Sequence, residues 1–285
     1  MSLKDRAMEV FLHAVRKGAA RTMDLPPEPQ SHACFAVTVT KNEELTPHLR
    51  RITITAPEIA QLTPEADEYF GFILPPKGAE LHLPDASSIN VRAELNAIPE
   101  EVRPDLRWYT IRHHRPESAE IDVDILVHGR TGPGTIFALD AQPGDTVGYR
   151  TLSATWHLVD GERLIVADPT AAPAARRILE ILDATERART HLIVATPDDE
   201  HLEPGFLDAA EGLATFSVVR ADVDTQAEAV VEDLKRRGPW TLHHAWACGE
   251  AQLAKQVRRH LVREWKMEKT SILFSGYWRV GAARA

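Results

Sequence analysis

The chain has 285 residues, 44% of them hydrophobic, which is enough for one large or two ordinary domains with buried cores. Its net charge of −9 at pH 7 argues against general nucleic-acid binding. Two cysteines, Cys34 and Cys248, make no disulfide framework and suit a reducing compartment. Because the sequence shows no signal-peptide core and no run of about eighteen apolar residues, we expect a cytoplasmic protein without stable membrane insertion.

Residues 1–30 predict an N-terminal helix followed by a linker. Apolar residues recur at helical spacing within residues 3–20, at Met8, Phe11, Leu12 and Val15. Prolines crowd residues 24–31, as is typical of a linker. The apolar patch is short and its flanks carry mixed charge, so we expect the helix to dock on the protein or a second subunit rather than on a membrane.

Residues 31–157 predict an antiparallel β-barrel, because short β-rich runs alternate with turns at even spacing. The predicted strands cover residues 33–40, 49–55, 69–74, 108–111, 121–127 and 146–149. Residues 77–104 lack periodicity and contain several prolines, which predicts an irregular surface excursion.

The strongest site signal in this half is a strand reading Arg107-Trp-Tyr109-Thr110, followed by the turn Gly132-Pro133-Gly134-Thr135. This is the order in which a small antiparallel barrel holds FAD. The tyrosine ring would stack on the isoalloxazine, and the threonine would hydrogen-bond its edge. The arginine and the turn amides would hold the pyrophosphate. If the Gly132–Thr135 turn were absent, Arg107, Tyr109 and Thr110 would be interpreted as part of an ordinary strand with a surface arginine.

Arg112 and His128 are further candidates for contact with FAD, on the same strand and at the end of the next. For His128, an ordinary loop histidine is an equally good interpretation. Adjacent histidines such as His113-His114 point to opposite faces of a strand, so we expect no metal site.

Residues 158–285 predict an α/β domain with a parallel sheet, because strand-like and helical runs alternate. The predicted strands cover residues 163–167, 192–195, 215–219, 244–247 and 271–274. Such sheets bind ligands at the carboxyl ends of their strands. Asp168, Thr170 and Ala171 follow one strand and Gly249 ends another, so we expect them to bind a phosphate or nicotinamide, with simple helix capping by Asp168 or Thr170 as the alternative.

These motifs, with Asp168–Pro173, Ala247–Glu250 and the ending Gly276-Tyr277-Trp278-Arg279-Val280-Gly281, resemble the siderophore-interacting protein family. The resemblance spans about residues 32–281. It implies two domains, an antiparallel β-barrel that binds FAD and an α/β parallel-sheet domain like those that bind NAD(P)H. It also implies FAD-dependent reduction of a ferric siderophore or other chelate, NADH or NADPH as electron donor, and Tyr277 and Trp278 beside the cofactor.

Three departures from the family pattern bear on the donor and the substrate. Ala167 and Pro169 replace the usual glycine and glutamate, which weakens the prediction of a nicotinamide site. Basic residues are absent from two places where the family has them, after Asp67-Glu68 and at residues 151–154. Arg279, with Arg150 as a partial substitute, is therefore our candidate to attract an anionic chelate, in a C-terminal segment rich in cations.

The sequence therefore predicts an FAD-dependent oxidoreductase in which the cofactor carries the chemistry and no catalytic side chain is assigned. Two alternatives stay open. One is a flavin or NAD(P)H oxidoreductase with a non-iron acceptor. The other is a non-catalytic flavin-containing siderophore-binding protein. For an active reductase, a ferredoxin-type protein is a possible electron donor in place of NAD(P)H.

Overall fold

The computed structural model describes Met23, residues 32–85 and residues 91–281, which belong to two compact units. The chain passes from the first unit to the second between Ala154 and Thr155. The helix predicted within residues 3–20 and the linker at residues 24–31 lie outside the described residues.

Seven strands form one antiparallel sheet in the first unit, in the order β4-β3-β7-β1-β2-β6-β5. The strands are β1 (Cys34–Thr46), β2 (Leu49–Thr55), β3 (Tyr69–Leu74), β4 (Asp105–Thr110), β5 (His113–Arg115), β6 (Glu120–Leu126) and β7 (Thr146–Ser153). The prediction of a barrel was too strong. Within the described residues β4 and β5 do not pair with each other, so the sheet stays open at both edges.

The inner face of this sheet carries the hydrophobic core, because inward-pointing residues alternate with outward ones along each strand. At its centre the ring of Tyr149 stacks between Phe35, at a centroid distance of 5.0 Å, and Phe70, at 4.4 Å. The helix α2 (Pro133–Asp140) packs on this core through Ala138. The sheet therefore holds the start of α2 in a fixed position.

The segment predicted as an irregular excursion contains a short helix, α1 (Val91–Asn96), in its described part. Val91 and Leu95 of this helix pack with Ile73 and Leu106 on the outer face of the sheet. The sequence does not predict this helix, because its two buried apolar residues are too few to define a helical pattern. The outer face is thus partly buried as well.

A ladder of charged side chains covers the outer face of β2, β6 and β5. Arg51 holds Asp124 through two hydrogen bonds of 2.7 Å. Asp122 accepts from Thr53 at 2.8 Å and from both terminal nitrogens of Arg115 at 2.7 Å, and it lies 3.0 Å from Nδ1 of His113. Burial alone would raise the pKa of Asp122, but these hydrogen bonds outweigh it and hold that pKa well below its usual range.

We expect Asp122→Asn to destabilise the protein by about 2 kcal/mol at pH 7, since it removes the charge from a group of charge-assisted hydrogen bonds. The folded-state pKa of Asp122 is depressed, so its contribution is present above the unfolded-state pKa and is lost as the pH falls. In urea unfolding, the difference in free energy of unfolding between the wild type and Asp122→Asn should therefore decrease by roughly 1 kcal/mol as the pH falls from about 5 to about 3. A gap that does not change with pH would contradict this assignment.

Five strands form the parallel sheet of the second unit, in the order β10-β9-β8-β11-β12. They are β8 (Arg163–Ala167), β9 (Thr190–Thr196), β10 (Thr215–Arg220), β11 (His244–Glu250) and β12 (Ile272–Trp278). The helices are α3 (Ala172–Ile181), α4 (Ala184–Arg187), α5 (Gln226–Arg237) and α6 (Ala251–Arg263). The strand order reverses between β8 and β11, which is where sheets of this kind open a crevice for ligands.

The helices α3 and α6 each bury an apolar stripe. Ile178 and Leu179 of α3 are at most 1% exposed, and α3 packs against β8. Leu253, Val257 and Leu261 of α6 belong to the core that α5 and α6 form on one face of the sheet. Burial of these stripes fixes where α3 and α6 begin, directly beyond the carboxyl ends of β8 and β11.

Candidate functional site

The structure brings Arg107 and Tyr109 of β4 against the first turn of α2. Both side chains lie on the inner face of the sheet, where the ring of Tyr109 meets Phe72 edge-on at 5.9 Å. A Cβ added to Gly134 would lie 2.0 Å from Oη of Tyr109 and 3.7 Å from Cγ of Arg107. Only a glycine lets the helix approach the tyrosine this closely, so the two predicted motifs form one cluster.

The N-terminus of α2 carries no side-chain cap. Its N-cap residue is Gly132, whose φ of +80° favours glycine, and Pro133 occupies the first turn. The first amides of an uncapped helix have no partner within the helix and favour an anion. The uncapped turn, packed against the side chain of Arg107, therefore fits one phosphate of a dinucleotide.

Arg107 and Tyr109 have the electrostatic properties that a flavin site requires. The guanidinium of Arg107 donates to the carbonyl of Leu106 at 2.8 Å and lies 3.3 Å from the exposed carboxylate of Asp105. Burial raises the pKa of Tyr109 to about 12, although the charge of Arg107 lowers it in part. The phenol is therefore neutral at physiological pH, and its ring can stack without carrying charge.

The other residues predicted to contact FAD lie in different surroundings. Thr110 is 7% exposed and, as the next residue along β4, points to the face opposite Tyr109. Arg112 is 2% exposed, and its amide donates to the carbonyl of Asp122 at 2.8 Å. His128 is exposed in the loop before α2, and Thr131 donates to its carbonyl at 3.3 Å. Their contacts with FAD stay predictions.

Arg150 does not fit its predicted role in substrate binding. It pairs with Gly71 across β3 and β7, whereas Tyr149 pairs with Phe72, so Arg150 points to the outer face and away from the Arg107 side. The side chain is 3% exposed, and burial lowers its pKa. A residue covered in this way is not available to a docked chelate.

In the second unit, Asp168 is the centre of a buried hydrogen-bond network at the β8–β11 crevice. Its Oδ1 accepts from the amide and hydroxyl of Thr170, at 2.8 and 2.6 Å, and from the amide of Ala171 at 3.1 Å. Its Oδ2 accepts from the amide of Glu250 at 2.7 Å and from Nε1 of Trp278 at 2.9 Å. Burial raises the pKa of Asp168, and these hydrogen bonds counteract that rise.

This network favours the capping alternative for the Asp168–Thr170 turn. The amides of Thr170 and Ala171 and the Thr170 hydroxyl all donate to Asp168, and the amide of Ala172 donates to its carbonyl at 2.9 Å. Because the donors that would hold a phosphate already have acceptors, the turn does not fit the predicted mode of nicotinamide or phosphate binding.

Gly249 and Glu250 close the network from β11. Gly249 has a φ of +135°, and an added Cβ would lie 2.5 Å from Cγ of Asp168. Glu250 is 2% exposed and caps α6, accepting from the amides of Gln252 and Leu253. The sequence analysis assigned no role to Glu250, although an acidic side chain between a strand and a helix is favourable beside the positive end of the helix dipole.

The C-terminal residues differ in their surroundings. Trp278 is fixed by its bond to Asp168, and Tyr277 meets Trp246 edge-on at a centroid distance of 6.5 Å. Arg279 is exposed. Among the described residues there is no cluster of three or more potential metal ligands, and no helix is both long and apolar enough to cross a bilayer.

An antiparallel sheet followed by a parallel five-stranded sheet is the arrangement of the ferredoxin-reductase-like fold. The model of the siderophore-interacting FAD-binding domain matches residues 38–151, and that of the siderophore-interacting protein matches residues 161–281. The chain belongs to the siderophore-interacting protein family.

Individual relatives support this assignment. The ferric vibriobactin reductase ViuB of Vibrio cholerae is 29% identical over 192 residues, covering 64% of this chain and 67% of that protein. The crystal structure of the siderophore-interacting protein SipS from Aeromonas hydrophila is 28% identical, with a TM-score of 0.72 over 89% of this chain and 94% of that one. The mycobactin import ATP-binding/permease protein IrtA of Mycolicibacterium thermoresistibile is 25% identical over 254 residues, 86% of this chain, but the chain spans 25% of that protein.

Proposed function

We propose that this protein is an FAD-dependent reductase that passes electrons to a ferric siderophore or similar chelate and so releases ferrous iron. The observation that carries the proposal is the convergence of Arg107 and Tyr109 with the uncapped start of α2, inside the region that matches the FAD-binding domain. The ferric reductase activity in the name of the Vibrio relative supports the choice of acceptor.

Each residue of the cluster would have a distinct task. Tyr109 offers a neutral ring for stacking, Arg107 a fixed positive charge for the pyrophosphate, and the amides of Gly134 and Thr135 hydrogen bonds to a phosphate. FAD, when bound, supplies a carrier that takes up two electrons and releases them singly. Oxygen chelators hold ferrous iron less tightly than ferric iron, so the protein need only bring the chelate close and need not ligate the metal.

The occupied amides at Asp168 favour one of the alternatives for the electron donor. NADH or NADPH would have to bind without the first turn of α3, since that turn is closed by Asp168. A protein donor of the ferredoxin type needs no such turn. A flavin reductase with a non-iron acceptor would share the Tyr109 cluster, so only measurement of the acceptor separates it from the proposal.

The absorbance spectrum of the purified protein tests the first part of the proposal. We expect a yellow protein whose FAD is released by boiling, because the cluster offers no covalent attachment. Stopped-flow bleaching by NADH, NADPH or reduced ferredoxin then identifies the donor, and faster recovery of colour with a ferric chelate than with oxygen identifies the acceptor. A colourless protein that takes up no added FAD would overturn the proposal.

Arg279 is the remaining candidate for attraction of the chelate. We expect Arg279→Ala to slow recovery of colour by an anionic ferric chelate roughly threefold at low salt, because an exposed cation raises the local concentration of anions. The effect should fade as salt rises, since exposed charges are screened over about 8–10 Å at physiological ionic strength. Recovery by oxygen, which is uncharged, is the control. Equal slowing with both acceptors would remove Arg279 from the chelate site.

A further inference from the structure

The outward face of α6 carries an unusual set of cations. Lys255, Arg259 and Arg263 are exposed at four-residue intervals, so they form a row about 12 Å long on one side of the helix. Lys266 and Lys269 are exposed just beyond the helix end. We call these five residues the cationic face of α6.

Within the described part of the chain, no carboxylate forms an ion pair with the cations of this face. Lys266 donates to the carbonyl of Arg263 at 2.6 Å. Glu264 and Glu268 lie nearby, so an excess of positive charge remains. Elsewhere in the molecule cations are commonly paired, as at Arg51, Arg115, Arg163, Arg176, Arg189, Arg220, Lys235 and Arg237. In a chain of net charge −9, this separation of charge requires an explanation.

The form of the cationic face selects among anionic partners. A small chelate would contact only part of a row this long. The row also lies on an outward-facing helix surface, whereas small molecules bind in clefts. A lipid surface would need exposed apolar side chains beside the cations, but Leu253, Val257 and Leu261 are fully buried in the core. No exposed aromatic residue interrupts the row to stack on nucleic-acid bases. Of the anionic partners considered, a protein with an acidic surface best matches a long exposed row of cations.

We propose that the cationic face of α6 docks an acidic one-electron carrier protein. The inference rests on the proposed function, because a reductase needs an electron source and the Asp168 turn has no free amides for a nicotinamide phosphate. Two encounters with reduced carrier would supply two electrons, and these reduce two ferric ions to ferrous. Lys255, Arg259 and Arg263 steer and hold the carrier, and the exposed Gln252 lies beside them on the helix.

The test uses the purified flavoprotein and a small acidic [2Fe–2S] ferredoxin as probe. The triple variant Lys255→Glu, Arg259→Glu, Arg263→Glu should raise the dissociation constant at least about tenfold, because each exposed charge pair contributes up to about 1 kcal/mol. The wild-type affinity should also fall steeply with salt. The control Lys41→Glu, Arg189→Glu, Arg220→Glu makes the same change in net charge at exposed sites elsewhere, and it should alter binding far less.

Three results would overturn the inference. They are no binding of ferredoxin by the wild type, equal losses in the two triple variants, and preferential, α6-dependent binding of duplex DNA or of anionic lipid vesicles. Chelate reduction by protein reduced with dithionite needs no carrier. It therefore tests the proposed function separately. A protein that reduces the chelate but does not bind ferredoxin would contradict the docking inference and leave the proposed function standing.

Discussion

Asp168→Ala should lower the free energy of unfolding of the second unit by about 3–5 kcal/mol. The substitution leaves five donors without their acceptor, two of them fully buried at Ala171 and Glu250, and each unsatisfied buried donor costs about 1–3 kcal/mol before water or local rearrangement compensates. Urea unfolding followed by tryptophan fluorescence suits this measurement, because every tryptophan except Trp108 follows residue 155.

A matched control separates this network from ordinary helix capping. Asp183 is an exposed N-cap residue that accepts from the amide of Glu186 at 2.8 Å, so Asp183→Ala should cost only about 1 kcal/mol. Asp168→Asn should fall between the two, since an amide keeps one acceptor but turns its NH2 toward a donor. Equal losses at Asp168 and Asp183 would mean that Asp168 is a simple cap.

The second large effect is expected at Gly134. In Gly134→Ala the new methyl group would meet Oη of Tyr109, so the ring must move from its place beside Phe72. We expect affinity for FAD to fall at least about tenfold, which corresponds to the loss of one aromatic stacking contact. Titration of FAD by fluorescence quenching measures the change. Alanine favours a helix more than glycine does, so the loss should appear without loss of helix stability.

A double-mutant cycle with Tyr109→Phe isolates the cause. Without the hydroxyl, the nearest ring atom to the added methyl group is Cζ at 3.3 Å, a contact that a small shift relieves. Gly134→Ala should therefore cost much less FAD affinity in the Tyr109→Phe background than in the wild type. If the two losses are equal, the added methyl group lowers FAD affinity without acting through the Tyr109 hydroxyl.

A large part of the architecture follows from sequence alone, because it depends on local patterns. The alternation of β-rich runs placed the strands Leu49–Thr55, Tyr69–Leu74 and Arg163–Ala167 at the bounds that the structure has. The change from evenly spaced strands to alternating strands and helices predicted the antiparallel and parallel sheets. Residues Arg107 and Tyr109 with the Gly132–Thr135 turn predicted a shared site, and the structure brings those residues together.

Only the tertiary structure decided which partners the polar residues find. Asp168 accepts from groups 82 and 110 positions away, at Glu250 and Trp278, and no short-range pattern in the sequence predicts these two contacts. Arg150 changed from a candidate for substrate binding to a buried side chain because the excursion containing α1 covers the outer face. Closure of the first sheet likewise depends on whether distant edge strands meet. Short-range patterns specify an element and its faces, whereas contacts across the chain are set by how those elements pack.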